Sequence, residues 1–224
     1  MSINRIGNSG GGWYNNSQMK QVVKPLTPNQ QVELNRKLAL VTGANETYHA
    51  FTGAASSEAL FAEWNKQAGN LFAPDVSHII IAEKGELSYV QSSFGDLRVA
   101  PIELELFKPD SLACKAFENN SLLYLPDVYE PFVFLADSKG TLYESILKDL
   151  GVELGALGKI EELKSMAFCP IYYESDNSKL GMIFLGSKKD KYLDPMVDLT
   201  ALKSLSDQFA VALRSRQSER FGII

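Results

Sequence analysis

Cysteine and histidine could ligate a metal or attack a substrate, and the chain has few of either. There are two cysteines, Cys114 and Cys169, and two histidines, His49 and His78, all well separated in the sequence. A structural zinc site needs about four such ligands at close spacing, so the sequence predicts no zinc site. Hydrolysis would need a base beside a nucleophile. We therefore expect both histidines to be structural.

The composition is that of one ordinary globular domain. The chain has 224 residues, a formal net charge of −5 and a hydrophobic share of 45%. Its lysines and arginines are scattered, which argues against nucleic acid as a partner. No apolar run approaches the roughly 18 residues of a membrane span, and no signal pattern opens the sequence. We therefore expect a cytoplasmic protein with no membrane partner.

Two helices are predicted after a polar start to the chain. Residues 1–26 are rich in glycine, asparagine and serine and are predicted to form a flexible N-terminal arm. A helix is predicted to begin at Thr27 and Pro28, where threonine can cap and proline suits the first helical position. This helix is expected to end near Gly43, and a second helix to begin near Ser57.

Segments rich in β-branched and aromatic residues predict the strands. The four strongest are residues 76–83, 86–93, 165–174 and 180–187. A short helix over 109–120 is predicted to lead into a fifth strand at 122–125. A closing helix is predicted to be capped by Asp194, with Pro195 at its first position, and to end near residue 217.

The order of these elements predicts an α+β fold. Strands joined by short turns pair antiparallel, so we expect a central antiparallel sheet of about five or six strands flanked by helices. One domain is predicted over 27–217, followed by a tail at 218–224. Residues 129–163 are predicted to be an insertion or lid. That segment has a helical pattern at Leu142, Ile146, Leu147 and Leu150.

Four segments share the pattern of one known family. They are residues 111–127 (SLACKAFENNSLLYLPD), 166–171 (MAFCPI), 180–185 (LGMIFL) and the closing helix 194–213. In this order they resemble the GAF domain family, over about residues 40–217. PAS domains share the architecture, but the long closing helix favours GAF. The resemblance implies a GAF/PAS-like sheet.

The resemblance also implies a ligand pocket between the sheet and the mid-domain helix, mostly apolar with a few polar groups. By position, its predicted lining is Tyr89, Gln91, Phe94, Cys114, Asp127, Tyr129 and Phe168. Gly181 lies inside a predicted strand and is expected to let a helix or a ligand approach closely. No catalytic residue is implied, and the ligand and any cofactor stay unidentified.

Three specialised kinds of GAF domain are not matched well. Bilin-binding members carry a cysteine followed by histidine in the mid-domain helix, whereas Cys114 is followed by Lys115. Members that reduce free methionine sulfoxide use closely placed cysteines, so that activity is the less favoured alternative here. The Asn-Lys signature of cyclic-nucleotide binders is missing from its expected position.

The sequence thus predicts a non-catalytic sensory or regulatory domain. It is expected to bind a small ligand and to signal, through conformation or dimerisation, to a separate partner protein. The terminal helices, 28–42 and 195–216, are predicted to form a homodimer. The alternative is a protein–protein interaction module with a vestigial pocket, in which the arm and the insertion engage the partner.

Overall fold

The computed structural model of the chain describes residues 27–95, 111–151 and 163–221. The N-terminal arm predicted for 1–26 lies outside these ranges. The described elements follow the chain as α1 (Pro28–Thr52), α2 (Ser57–Phe72), β1 (Val76–Glu83), β2 (Glu86–Gly95), α3 (Leu112–Glu118), β3 (Leu122–Leu125), β4 (Phe132–Ala136), β5 (Leu142–Ile146), β6 (Ser165–Tyr173), β7 (Ser178–Ser187) and α4 (Asp198–Phe221).

The strands form one sheet in the order β2-β1-β7-β6-β3-β4-β5. Every neighbouring pair is antiparallel. This confirms the predicted α+β fold class, because helices cover a single antiparallel sheet. The described part of the sheet has seven strands rather than five or six. The two additional strands are β4 and β5.

Strands β4 and β5 lie in the segment that was predicted to be an insertion or lid. They form a hairpin whose turn is held by the Asp137 carboxylate, which accepts hydrogen bonds from the backbone N–H of Lys139 at 2.9 Å and of Thr141 at 2.8 Å. The predicted helix there is wrong up to Ile146, since residues 142–146 pair with β4. Only Leu147–Leu150 is helical, as one 3-10 turn. Residues 152–162 lie outside the described ranges.

The first helix is longer than predicted. Helix α1 passes through Gly43 and ends at Thr52. Glycine was interpreted as a stop, but a Cβ at Gly43 would lie 2.9 Å from Cδ2 of Leu71 in α2. The glycine therefore permits a close approach of two helices rather than ending one of them.

The closing helix begins later and ends later than predicted. Asp194 does accept hydrogen bonds, from the N–H groups of Met196 and Val197, but these residues form a turn before the helix. Helix α4 itself begins at Asp198, whose carboxylate accepts from the Asp194 N–H at 2.7 Å. It runs to Phe221, so the predicted boundary at 217 falls inside the helix.

Side chains of the sheet are buried on both of its faces. One face, called here the helix face, packs against α1, α2 and α4, and its core includes Phe51, Trp64, Ile79, Ile183, Leu202 and Phe209. The opposite face, called here the α3 face, packs against α3, and its core includes Ile80, Phe117, Met166, Phe168, Met182 and Phe184. Alternation along β1, β6 and β7 sends successive residues to opposite cores.

Gly181 of β7 sits against the neighbouring strand β1. A Cβ at this position would clash with the carbonyl oxygen of Ile80. The close approach expected at Gly181 is therefore real, but it is made by a strand backbone rather than by a helix or a ligand.

We predict that Gly181→Ala lowers the free energy of unfolding by about 1–3 kcal/mol, because the added methyl group must displace β1. Gly69→Ala is the matched control, since Gly69 lies within α2 with open space around its Cα. The control should raise stability by about 0.5–1 kcal/mol through helix propensity. Urea unfolding of both variants measures the pair, and equal effects would contradict the packing at Gly181.

Candidate functional site

Helix α3 is capped at its start and attached to the sheet at its end. At its start the Ser111 hydroxyl accepts a hydrogen bond from the Cys114 N–H at 3.1 Å. At its end Lys179 of β7 donates to the Glu118 carbonyl at 2.7 Å, and its ammonium lies 5.5 Å from the centre of the Phe117 ring. The helix is thereby attached to β7 by one charged side chain.

Beneath α3 the sheet presents aromatic and sulfur-containing side chains. The rings of Phe168 and Phe184 are 5.2 Å apart, and His78 stacks on Phe184 at 5.7 Å. Met166 and Met182 complete this floor, and both are fully buried. Of these residues only Phe168 was predicted from the sequence. Met166 and Phe168 alternate along β6, as Met182 and Phe184 do along β7, so this alternation could have identified the other members on these two strands.

Two of the predicted pocket residues lie on the α3 side of the sheet. Cys114 lies half-buried in α3 and forms no disulfide. Phe168 is only 3% exposed and belongs to the floor. The structure thus brings the mid-domain helix and strand β6 together, as the pocket prediction requires.

Two more predicted residues lie in the loop between β3 and β4. The Asp127 carboxylate accepts a hydrogen bond from the Tyr129 N–H at 2.9 Å, so Asp127 closes the turn after β3. The Tyr129 side chain is 67% exposed. These residues form a loop at the end of the sheet.

The remaining three predicted residues lie on the edge strand β2. Tyr89 pairs with Ile81, Phe94 pairs with Ser77, and the Gln91 side chain is exposed. Strands β1 and β7 separate β2 from β6, which places the two about 14 Å apart at the usual strand spacing. The seven predicted residues therefore occupy three separate places, and a pocket that includes all of them stays a prediction.

Cys169 faces away from the α3 side. It is fully buried on the helix face, with its sulfur 4.0 Å from the Leu202 carbonyl oxygen of α4. Burial raises the pKa of this thiol to about 12. The thiolate that nucleophilic or redox chemistry needs is therefore strongly disfavoured at Cys169.

The fully buried Tyr124 and the partly buried Tyr192 lie at the segment that leads into α4. The Tyr124 hydroxyl accepts a hydrogen bond from the Leu193 N–H at 3.0 Å. Burial, reinforced by the nearby Asp198 carboxylate, raises the pKa of Tyr124 to about 12. Burial likewise raises the pKa of Tyr192 well above its usual value. Both phenols stay neutral at ordinary pH, and the Tyr192 hydroxyl has no hydrogen-bond partner within the described ranges.

The hollows of the described surface differ in size between the two faces. On the α3 side a small hollow of about 60 Å³ lies between α3 and the β4–β5 hairpin. On the helix side two hollows of about 360 and 350 Å³ lie along α4. Among the described residues no group of three or more histidine, cysteine or acidic side chains could hold a metal ion. No helix in these ranges is long and apolar enough to cross a membrane.

No protein-family model and no curated protein sequence matches the chain. Solved structures do resemble it. The GAF domain of a phosphoenolpyruvate-protein phosphotransferase from Coxiella burnetii is 12% identical with a TM-score of 0.58, covering 84% of this chain and 99% of that one. The GAF domain of nlh2 from A. aeolicus, in an inactive state, is 18% identical with a TM-score of 0.53, covering 81% and 99%.

A third similar structure contains a pigment. It is the phycoerythrobilin-bound GAF domain of a cyanobacterial phytochrome, 14% identical with a TM-score of 0.50, covering 87% of this chain and 100% of that one. At such identities the likeness is one of fold. The sheet order, the two covered faces and these matches agree with one another, and the chain has the fold of a GAF domain.

Proposed function

We propose that this chain is a non-catalytic sensory or regulatory domain of the cytoplasm. It binds a small ligand on the α3 face and signals to a separate partner protein through its terminal helices, by a change of conformation or of dimerisation. The proposal rests on one observation: strands β6 and β7 each contribute side chains to both cores.

Strand β6 gives this proposal a physical route. Phe168 faces α3, while the next residue, Cys169, faces α4. The carbonyl of Pro170 accepts a hydrogen bond from Ser206 of α4 at 2.8 Å. A ligand that displaces β6 through Phe168 therefore acts on the attachment of α4 within two residues. Densely packed interiors transmit such displacements.

The terminal helices are joined to each other beyond the sheet. Thr47 of α1 donates to Gln208 of α4 at 3.1 Å. The Arg216 guanidinium of α4 donates to the carbonyl oxygens of Thr52 and Ala54 at the end of α1. These contacts follow increasing residue number in both helices, so α1 and α4 run parallel and would move as a pair.

Helix α1 also has an exposed apolar side. Leu34 is 40% exposed, Leu38 57% and Tyr48 43%, whereas Thr47 and Phe51 face the body of the domain. The exposed residues recur at helical spacing on the side away from α4. A second copy of the chain would cover this side and build a helical bundle.

A second candidate function is an interaction module without a working ligand pocket. It is favoured by the tight packing of the described α3 face, where Phe168 is 3% exposed and the hollow beside α3 measures only about 60 Å³. Ligand sites commonly measure about 300–1,000 Å³. The two candidates differ in whether the purified protein carries or accepts a small molecule.

The ligand prediction concerns Phe168. Native mass spectrometry of freshly purified protein should show a small molecule that is released on denaturation, or a metabolite panel should raise the melting temperature. Phe168→Leu should weaken retention of that molecule. Phe209→Leu, on the helix face, is the matched control and should destabilise without weakening retention. A ligand-free protein that no compound stabilises would favour the interaction module.

The dimer prediction concerns Leu38. We expect the parent chain to sediment as a dimer and Leu38→Glu to sediment as a monomer, because a charge would enter the apolar side of α1. Asn35→Glu adds the same side chain at an exposed polar position of α1 and should stay dimeric. A monomeric parent, or equal behaviour of the two variants, would contradict dimerisation through α1.

The third prediction tests the absence of thiol chemistry. With an aromatic disulfide reagent at about pH 8, the native chain should expose one reactive thiol, Cys114, while Cys169 reacts only after unfolding. Cys114→Ser should remove the native reaction, and Cys169→Ser should leave it unchanged. Two thiols that react equally fast in the native state would instead support a redox enzyme.

A further inference from the structure

The two larger hollows adjoin each other along α4, and together they are called here the α4 groove. Its walls are α4, the turn of the β4–β5 hairpin and the turn between β6 and β7. Ser138, Lys203 and Asp207 line both hollows. The groove lies on the helix face, opposite the floor beneath α3 where the proposed function places its ligand, although Asn120 just after α3 also lines the second hollow.

An ion pair stands at the junction of the two hollows. Lys203 Nζ lies 2.5 Å from Asp207 Oδ1, and the Lys203 side chain is only 15% exposed. Partial burial raises the pKa of the Asp207 carboxyl, and the nearby Glu174 carboxylate acts in the same direction. Lys203 therefore lies in a partly dehydrated position, where charged groups interact more strongly than in water, whereas the Asp207 side chain is 48% exposed and open to a ligand.

Both members of the pair keep hydrogen-bonding capacity. An ammonium has three donors and a carboxylate about four acceptor positions. Within the described ranges the Lys203 ammonium donates only to Asp207, and the Asp207 carboxylate accepts only from Lys203. A ligand in the groove can thus bond to each without breaking the pair.

The other residues that line the groove limit the kind of ligand that can bind there. In the first hollow Ala136, Leu142 and Leu199 form an apolar part beside Lys203. In the second hollow Glu174 lies near Asp207. A simple anion would meet the carboxylates of Asp207 and Glu174, and a simple cation would meet Lys203 and Lys139. A molecule that carries an ammonium and a carboxylate on one carbon, together with an apolar side chain, matches both the charged and the apolar lining.

From this arrangement we infer that the α4 groove binds a free α-amino acid with an apolar side chain. Its carboxylate accepts from Lys203, its ammonium donates to Asp207, and its side chain packs on the partly exposed Leu142. Each hollow has the size of known small-molecule sites, which begin at about 300 Å³. The inference does not depend on the proposed function, because the two sites lie on opposite faces of the sheet.

The test is two-dimensional NMR of the ¹⁵N-labelled full chain with L-leucine, L-isoleucine, L-valine, L-methionine and L-phenylalanine as probes. At least one should shift the backbone amides of residues 137–141 and 199–208. For leucine, the matched analogues are isopentylamine, which lacks the carboxylate, and 4-methylpentanoate, which lacks the amine. Neither analogue should produce these shifts at the same concentration.

Substitutions in the ion pair test whether the amino acid binds in the α4 groove. Lys203→Met and Asp207→Asn should each weaken it by about tenfold or more, since each removes a charged hydrogen-bond partner. Lys66→Met is the control, because Lys66 forms an ion pair with Glu63 on α2, outside the groove. The dispersion of each variant's spectrum shows that it is folded.

Three outcomes would overturn the inference. They are no groove shift with any of the five probes, equal shifts with the single-charge analogues, and unchanged binding in a folded Lys203→Met variant. Shifts confined to residues 112–118 would place the ligand on the α3 face. That result would count for the proposed function and against the α4 groove.

Discussion

Burial of the central strands on both faces is the constraint on which the rest of the structure depends. Ile79 and Ile80 of β1 enter opposite cores, as do Phe168 and Cys169 of β6 and Met182 and Ile183 of β7. Such strands expose apolar surface whenever either cover is removed, at a cost of about 25 cal/mol per Å². Helices α1, α2 and α4 on one face and α3 on the other are therefore required together. A ligand on one face and a partner on the other would be coupled by the same strands.

The elements that the sequence predicts well are those with a clear hydrophobic pattern. Strands β1, β6 and β7 are mostly apolar segments bounded by polar turns, and α2 shows one apolar side at helical spacing with Ser56 as its cap. The resemblance to GAF domains added the order of these elements around a mid-domain helix. Together they sufficed for the fold class and for the placement of Cys114 and Phe168 on the α3 side of the sheet.

What the sequence analysis missed depends on tertiary contacts. The spacing of Leu142 and Ile146 suits a helix, yet backbone pairing with β4 makes the segment a strand. Gly43 resembles a helix end, and only its proximity to Leu71 explains why the helix continues. The Lys203–Asp207 pair has the i, i+4 spacing found on any exposed helix, and its role as a groove element arises only when the hairpin turn packs beside it.

The most direct test of the coupling between the two faces is urea unfolding monitored residue by residue with NMR. Native amide peaks of α2 (57–72) report the helix face, and those of α3 (112–118) report the α3 face. Because both covers rest on the same strands, the account predicts that the two sets disappear at one common urea concentration. Loss of the α3 peaks while the α2 peaks persist would show that the faces are independent, and it would contradict the coupling on which the proposed function depends.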